Sequence, residues 1–197
     1  MTKKIQTIGL LLFIIVGQIA FGQTPNSKGY LVRIADSIKD EYGYKNLSGD
    51  TIIPLGKYGI CFTDTFKTYA FVLKPHSGFV AIDRQENVLY QVFSIDNGPD
   101  KASDELFRII KNSKIGFANS LTGKVIIKPQ FDCAWPFRNG VAKVSMECTK
   151  VPDGEYSTWV SDKWYYIDKS GKKLNKAGGG VKRQKTKPNL TLLTHYL

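Results

Sequence analysis

The residues with which this chain could do chemistry are few: two histidines, three cysteines, one acidic loop and three tryptophans. His76 follows Pro75 in a loop, and His195 stands third from the end. A Ser-His-Asp or Cys-His site needs a histidine held beside an exposed nucleophile turn. No such turn surrounds His76, which reads as a surface-loop histidine. Zinc needs several His or Cys ligands at close spacing. Cys61, Cys133, Cys148 and His76 are too scattered to supply them. The stretch Asp96-Asn97-Gly98-Pro99-Asp100, followed by Asp104-Glu105, is the densest acidic group. Asp96, Asp100 and Asp104 could hold Ca²⁺, although the Gly and final Glu spacing of an EF-hand loop are missing. Asn-Gly-Pro-Asp is equally good turn chemistry. Asp96, Asp100 or Glu105 could also serve a carbohydrate-active hydrolase, but no other acid is evidently placed to pair with them. No cofactor is expected.

The aromatic residues offer a binding surface instead. Trp135-Pro136-Phe137 lies between strands, and Trp159 precedes the run Trp164-Tyr165-Tyr166. Flat rings stack on sugars or anchor protein partners. Trp135, Phe137 and Trp159 are therefore candidate ligand-binding residues. The competing reading is that these rings fill a core, and the repeat described next already accounts for Phe137 and Tyr166.

The elements that must position these residues recur along the chain. Tyr42-Gly43-Tyr44-Lys45-Asn46 leads to Ser48-Gly49-Asp50-Thr51-Ile52-Ile53-Pro54. Ile115-Gly116-Phe117-Ala118-Asn119 leads to Thr122-Gly123-Lys124-Val125-Ile126-Ile127-Lys128-Pro129. Looser copies start at Ser77-Gly78-Phe79 and at Trp164-Tyr165-Tyr166. Each copy reads as a short aromatic strand, an Asn or Asp, a polar turn, and a β-branched strand, which together make a β-hairpin. Later segments match as well: Tyr69–Val72, Leu106–Ile109 and Val141–Val144. From the repeat glycine to the second residue of these segments the offsets are 27, 29 and 26 (43 to 70, 78 to 107, 116 to 142). Successive repeat glycines lie 35 and 38 residues apart (43 to 78, 78 to 116), a period that signals repeat architecture, in which neighbours cover one another's apolar faces. The 11 Phe and 10 Tyr suit a β-rich core. The expected fold is all-β: tandem hairpins in an open or partly closed twisted array.

With these residues the chain resembles the WG-repeat family. Its third unit carries Gly116, Phe117, Asn119, Gly123, Ile126, Ile127, Pro129, Phe131, Pro136, Phe137, Gly140, Ala142 and Val144 at the family's positions. The first matches at Gly43, Tyr44, Asn46, Gly49, Ile52, Ile53, Pro54, Tyr69, Ala70 and Val72. Tyr42, Ser77, Ile115 and Trp164 stand at the Trp position. The second copy lacks the turn Gly and the Pro, and the last has Tyr165 in place of Gly. The resemblance implies a β-repeat module, often exported in bacteria, acting in binding or scaffolding rather than catalysis.

The termini address compartment and partners. Lys3 and Lys4, an apolar run from Ile8 to Ile19, and Ala20-Phe21-Gly22 make a secretory signal helix with cleavage after Gly22. The run is shorter than a spanning helix needs. The mature protein would be periplasmic or secreted, where disulfides are permitted. The net charge of +11 is concentrated at the ends. Without Lys3, Lys4 and the seven cations of the tail, residues 23–171 carry +2, which argues against a nucleic-acid partner. A protein or glycan of the cell envelope is the expected partner. The tail, 172–197, reads as disordered and basic, and could also touch an anionic membrane surface.

The organisation is thus a signal peptide at 1–22, a lead-in at 23–41, a repeat domain of about four units at 42–171, and the tail. Within it, Cys133 and Cys148 are expected to form a disulfide. The chain between them reverses at Asn139-Gly140, which lets its ends approach. Closing a 15-residue loop stabilises by about 3 kcal/mol before strain. Cys61, in the alternating Ile60-Cys61-Phe62, would stay free as a small buried side chain.

Overall fold

The computed structural model describes residues 29–154 and 156–175. The signal segment 1–22, the beginning of the lead-in, and the tail from residue 176, His195 included, lie outside the described residues. Every described element is a strand, and every strand pairing is antiparallel.

Three three-stranded meanders follow one another, then a last unit of two strands closed by a single bridge. The first has β1 (Leu31–Asp36), β2 (Glu41–Lys45) and β3 (Thr51–Tyr58), and the short β4 (Ile60–Cys61) and β5 (Thr65–Phe66) lead onward. The second has β6 (Ala70–Lys74), β7 (Gly78–Ile82) and β8 (Val88–Val92), followed by the small hairpin β9 (Ser94–Ile95) and β10 (Gly98–Pro99). The third has β11 (Leu106–Lys111), β12 (Lys114–Asn119) and β13 (Val125–Phe131), followed by β14 (Cys133–Ala134). The last opens with β15 (Val141–Ser145). A hairpin of β16 (Thr149–Asp153) and β17 (Tyr156–Val160) is inserted before β18 (Tyr165–Asp168). Lys172–Leu174, the start of the basic segment, completes this unit: Ile167 bridges to Lys173, and Leu174 N–H donates to the Tyr166 carbonyl at 2.8 Å.

The structural unit therefore begins one strand earlier than the repeat read from the sequence. The strand that seemed to end one unit is hairpin-paired to the aromatic strand of the next. β11 and β12 show why: Asn112 and Ser113 take φ 52° and 60°, the tight turn whose twist matches its strands. By the same logic, Leu31–Asp36 of the lead-in is the opening strand of the first unit, paired through all of β2.

The second unit's register also differs from the sequence reading. Each unit turns on an Asn or Asp whose side-chain oxygen accepts backbone N–H groups: Asn46, Asp83, Asn119 and Asp168. Counting back from Asp83, the residue matching Gly116 is Val80, not Gly78. The slip arose because Gly78, at φ 74°, is a hairpin-turn glycine that imitates the repeat glycine.

Gly43 and Gly116 have a steric cause. β3 and β13 bulge at their prolines and press on the aromatic strand. A Cβ at Gly116 would lie 2.4 Å from the Ile127 carbonyl oxygen and 2.5 Å from Pro129 N. At Gly43 it would lie 2.5 Å from the Ile53 oxygen. β8 has no proline, and it pairs without a bulge beside Val80, whose side chain fits.

Units stack through their turns. Glu86, in the second unit's turn, accepts from Tyr58 Oη of the first at 2.8 Å. Tyr90 Oη donates to the Gly123 carbonyl, and Tyr69 Oη to that of Ser120. Gly171 lies against Ile127. Matching aromatic pairs fill the cores: Tyr44 on Phe66 in the first unit and Phe117 on Phe137 in the third, both edge-on. The array is open. Its largest sheet runs β13-β12-β11-β8-β7-β6-β4 and does not close on itself.

Candidate functional site

A buried charge interrupts one of the apolar strands. Arg108 interrupts Leu106-Phe107-Arg108-Ile109-Ile110 and is only 3% exposed. Its guanidinium makes a two-pronged pair with Asp100: Nε to Oδ2 at 2.9 Å and Nη2 to Oδ1 at 2.7 Å. Arg108 N–H donates to Oδ2, and Nη1 donates to the Ala134 carbonyl. Burying two charges is tolerated only when hydrogen bonds replace the lost water, as they do here.

The same guanidinium lies 4.0 Å above the Phe93 ring. Phe93 meets Trp159 edge-on at 5.7 Å, and Trp159 meets Trp135 edge-on at 5.6 Å. Four side chains thus run outward from the buried ion pair to solvent. The inserted β16–β17 hairpin carries Trp159 to this point. Trp135 is held by its own N–H, which donates to the Lys143 carbonyl at 2.9 Å. Trp135 is 44% exposed and Trp159 half-buried. A preordered aromatic surface loses little side-chain freedom on binding, which favours affinity.

Of the three candidate ligand-binding residues, Trp135 and Trp159 are therefore in contact. Phe137 is a correction. It is fully buried with its ring 4.7 Å from that of Phe117, so it fills the core and presents nothing to a ligand. Phe93 and Arg108 were not singled out from the sequence. The signal was present in Arg108, a charge in an apolar strand that needed an acid nearby.

The acidic loop is dispersed. Asp96 and Asn97, at φ 48° and 61°, form the turn between β9 and β10. Asp100 is closed off by Arg108. Asp104 accepts from Gly140 N–H at 2.7 Å, and Glu105 pairs with Lys169. The Ca²⁺ grouping of Asp96, Asp100 and Asp104 is corrected accordingly: no cluster of carboxylate, His or Cys ligands exists among the described residues. Nor does Asp100 have an open oxygen with which to serve a hydrolase. His76, at φ 60°, belongs to the β6–β7 turn.

Cys133 and Cys148 are joined by a disulfide with Cα atoms 6.2 Å apart. The bond ties β14 to the residue just before the inserted hairpin. Cys61 is free and fully buried, and burial pushes its thiol up to about 11. A protonated, inaccessible thiol is a poor nucleophile.

Comparison with known proteins places one of these units. The family model for the WG containing repeat matches residues 115–147, which run from β12 to the residue before Cys148. No curated protein and no solved structure matches the chain.

Proposed function

From a chain that carries a WG containing repeat, we propose a non-enzymatic binding module of the bacterial cell envelope, exported by its 1–22 segment, whose partner is an envelope protein or glycan. The observation that carries this reading is the Trp135–Trp159 pair, exposed at one end and anchored at the other through Phe93 to the buried Arg108–Asp100 pair. Aromatic anchors that are already fixed serve recognition of a sugar face or a partner's apolar pocket.

The test is a glycan array together with a pull-down from envelope extract, using wild type and Trp135→Ala. Trp135→Ala removes a ring that is nearly half exposed, so the fold should hold. Retention of the captured partner should fall at least tenfold. Capture unchanged by the substitution, or no reproducible partner in either assay, would overturn the proposal.

A further inference from the structure

The last unit carries a recess that shares no residue with the tryptophan pair. A cleft of about 380 Å³ is lined by Met146, Glu147, Lys163, Trp164, Tyr165 and Lys173. That volume lies at the small end of ligand sites and suits about one sugar ring. Trp164 occupies the position held by Ile115 in the third unit, immediately before the residue that matches Gly116.

The walls of the cleft are built rather than incidental. The hydroxyls of Ser145 and Ser161 lie 2.7 and 2.6 Å from the Glu147 carbonyl oxygen. Glu147 N–H donates back to Ser145 Oγ, and Lys163 N–H donates to Ser161 Oγ at 3.0 Å. Ser145 is fully buried. Cys148, which follows Glu147, is fixed by its disulfide to Cys133. Both sides of the recess are therefore tied to one hydroxyl pair and one covalent bond.

The lining combines flat rings with unequal charge. Lys163 is paired with Glu147. Lys173 has its ammonium 4.7 Å above the Tyr165 ring and no carboxylate within ion-pair distance among the described residues. A further cation, Lys143, lies 4.7 Å above the Trp164 ring. The lining holds two lysines against one glutamate, and Lys143 adds a third cation beside it, so the recess is net positive and favours an anionic ligand over a neutral one. An ammonium resting on a ring keeps donors free for an anion. Indole and phenol rings offer apolar surface to the C–H face of a pyranose.

We propose that this cleft binds a carboxylate-bearing sugar residue, with Lys173 taking the carboxylate and Trp164 and Tyr165 contacting the ring. The site shares no residue with the Trp135–Trp159 surface, so either can fail alone.

Titration calorimetry on the full chain tests the proposal, with trigalacturonate, neutral trigalactose and galactose 6-phosphate as probes. Trigalacturonate should bind, and trigalactose should bind at least tenfold more weakly. Lys173→Met keeps the apolar stem of an exposed side chain, and should weaken trigalacturonate at least tenfold. Glu147→Gln removes the competing carboxylate and should tighten binding a few fold, an outcome that a damaged cleft would not produce. Trp135→Ala should leave these affinities unchanged. The proposal is overturned by equal binding of trigalactose, by tighter binding of the sugar phosphate, by Lys173→Met without effect, by Glu147→Gln weakening the complex, or by no binding of trigalacturonate at millimolar concentration.

Discussion

The second and third units solve one packing problem in two ways. The third, which the family model matches, brings a proline-bulged strand against a glycine and turns through Gly123 at φ 71°. The second has neither the proline nor the glycine. Its third strand pairs without a register shift at Val80, whose side chain fills the space, and Glu86 makes the turn at φ 63°. Glycine at the repeat position is therefore a consequence of the proline bulge rather than a requirement of the hairpin. Where the bulge is absent, as in the second unit, a side chain is accepted. Where no bulged third strand follows, as in the last unit, Tyr165 is accepted. At the junction of the second unit with the third lies the buried Asp100–Arg108 pair.

That last point sets the largest expected effect. Asp100→Asn leaves Arg108 charged and buried without its partner, which should cost about 3–5 kcal/mol. Chemical denaturation measures it. Because Phe93 lies between Arg108 and Trp159, the tryptophan emission of the folded state should also shift toward that of exposed indole. A cost below about 1 kcal/mol would mean that the second unit does not depend on the pair.

A smaller effect separates the two glycine solutions. Gly116→Ala places a methyl 2.4 Å from a backbone oxygen. Neighbours there are main chain and cannot rotate away, so the cost should reach about 3 kcal/mol, the upper part of the overpacking range. Val80→Ala, at the matching position, only removes buried methyl groups and should cost about 2 kcal/mol. Equal or inverted costs in urea denaturation would break the link between the glycine and the bulge.

The smallest effect lies in the turns. Glu86→Gly relieves a left-handed residue, worth about 1 kcal/mol. It also loses the Tyr58 hydrogen bond, worth about 1 kcal/mol, and a half-exposed ion pair with Lys57, worth less. The melting temperature should barely move. A loss well beyond about 1 kcal/mol would show that Glu86 is a principal tie between the first and second units.

The legible and illegible parts divide along physical lines. Hairpins at Tyr42 and Ile115 could be read because an Asn, a turn Gly and a Pro each restrict the backbone locally. The second unit could not be placed to the residue: Gly78 imitates the repeat glycine, and only the pairing of β7 with β6 and β8 shows that Val80 holds that place. The start of each unit was misread for a related reason. Leu106–Ile109 looks the same whether it closes one hairpin or opens the next, and the two-residue turn at Asn112-Ser113 decides. Within the candidate site, Trp135 and Trp159 were visible as unusual aromatics. Phe93 was not, since nothing near it in sequence indicates that Arg108 lies over its ring.

By itself, then, the sequence determined an all-β chain of repeated hairpins, its polar turns, its two rigid glycine–proline units, and the spacing that makes Cys133 and Cys148 a plausible pair. These follow from backbone restriction and apolar alternation, which act over a few residues. The tertiary structure alone decided that Phe137 is core, that Asp100 belongs to Arg108 and not to a metal or substrate, that Trp135 meets Trp159 across 24 positions, and that Trp164, Tyr165 and Lys173 line one recess. Each of these depends on which strands pair and where an inserted hairpin lands. Contacts between distant segments are set by the summed packing of whole units, a quantity no short window of sequence contains.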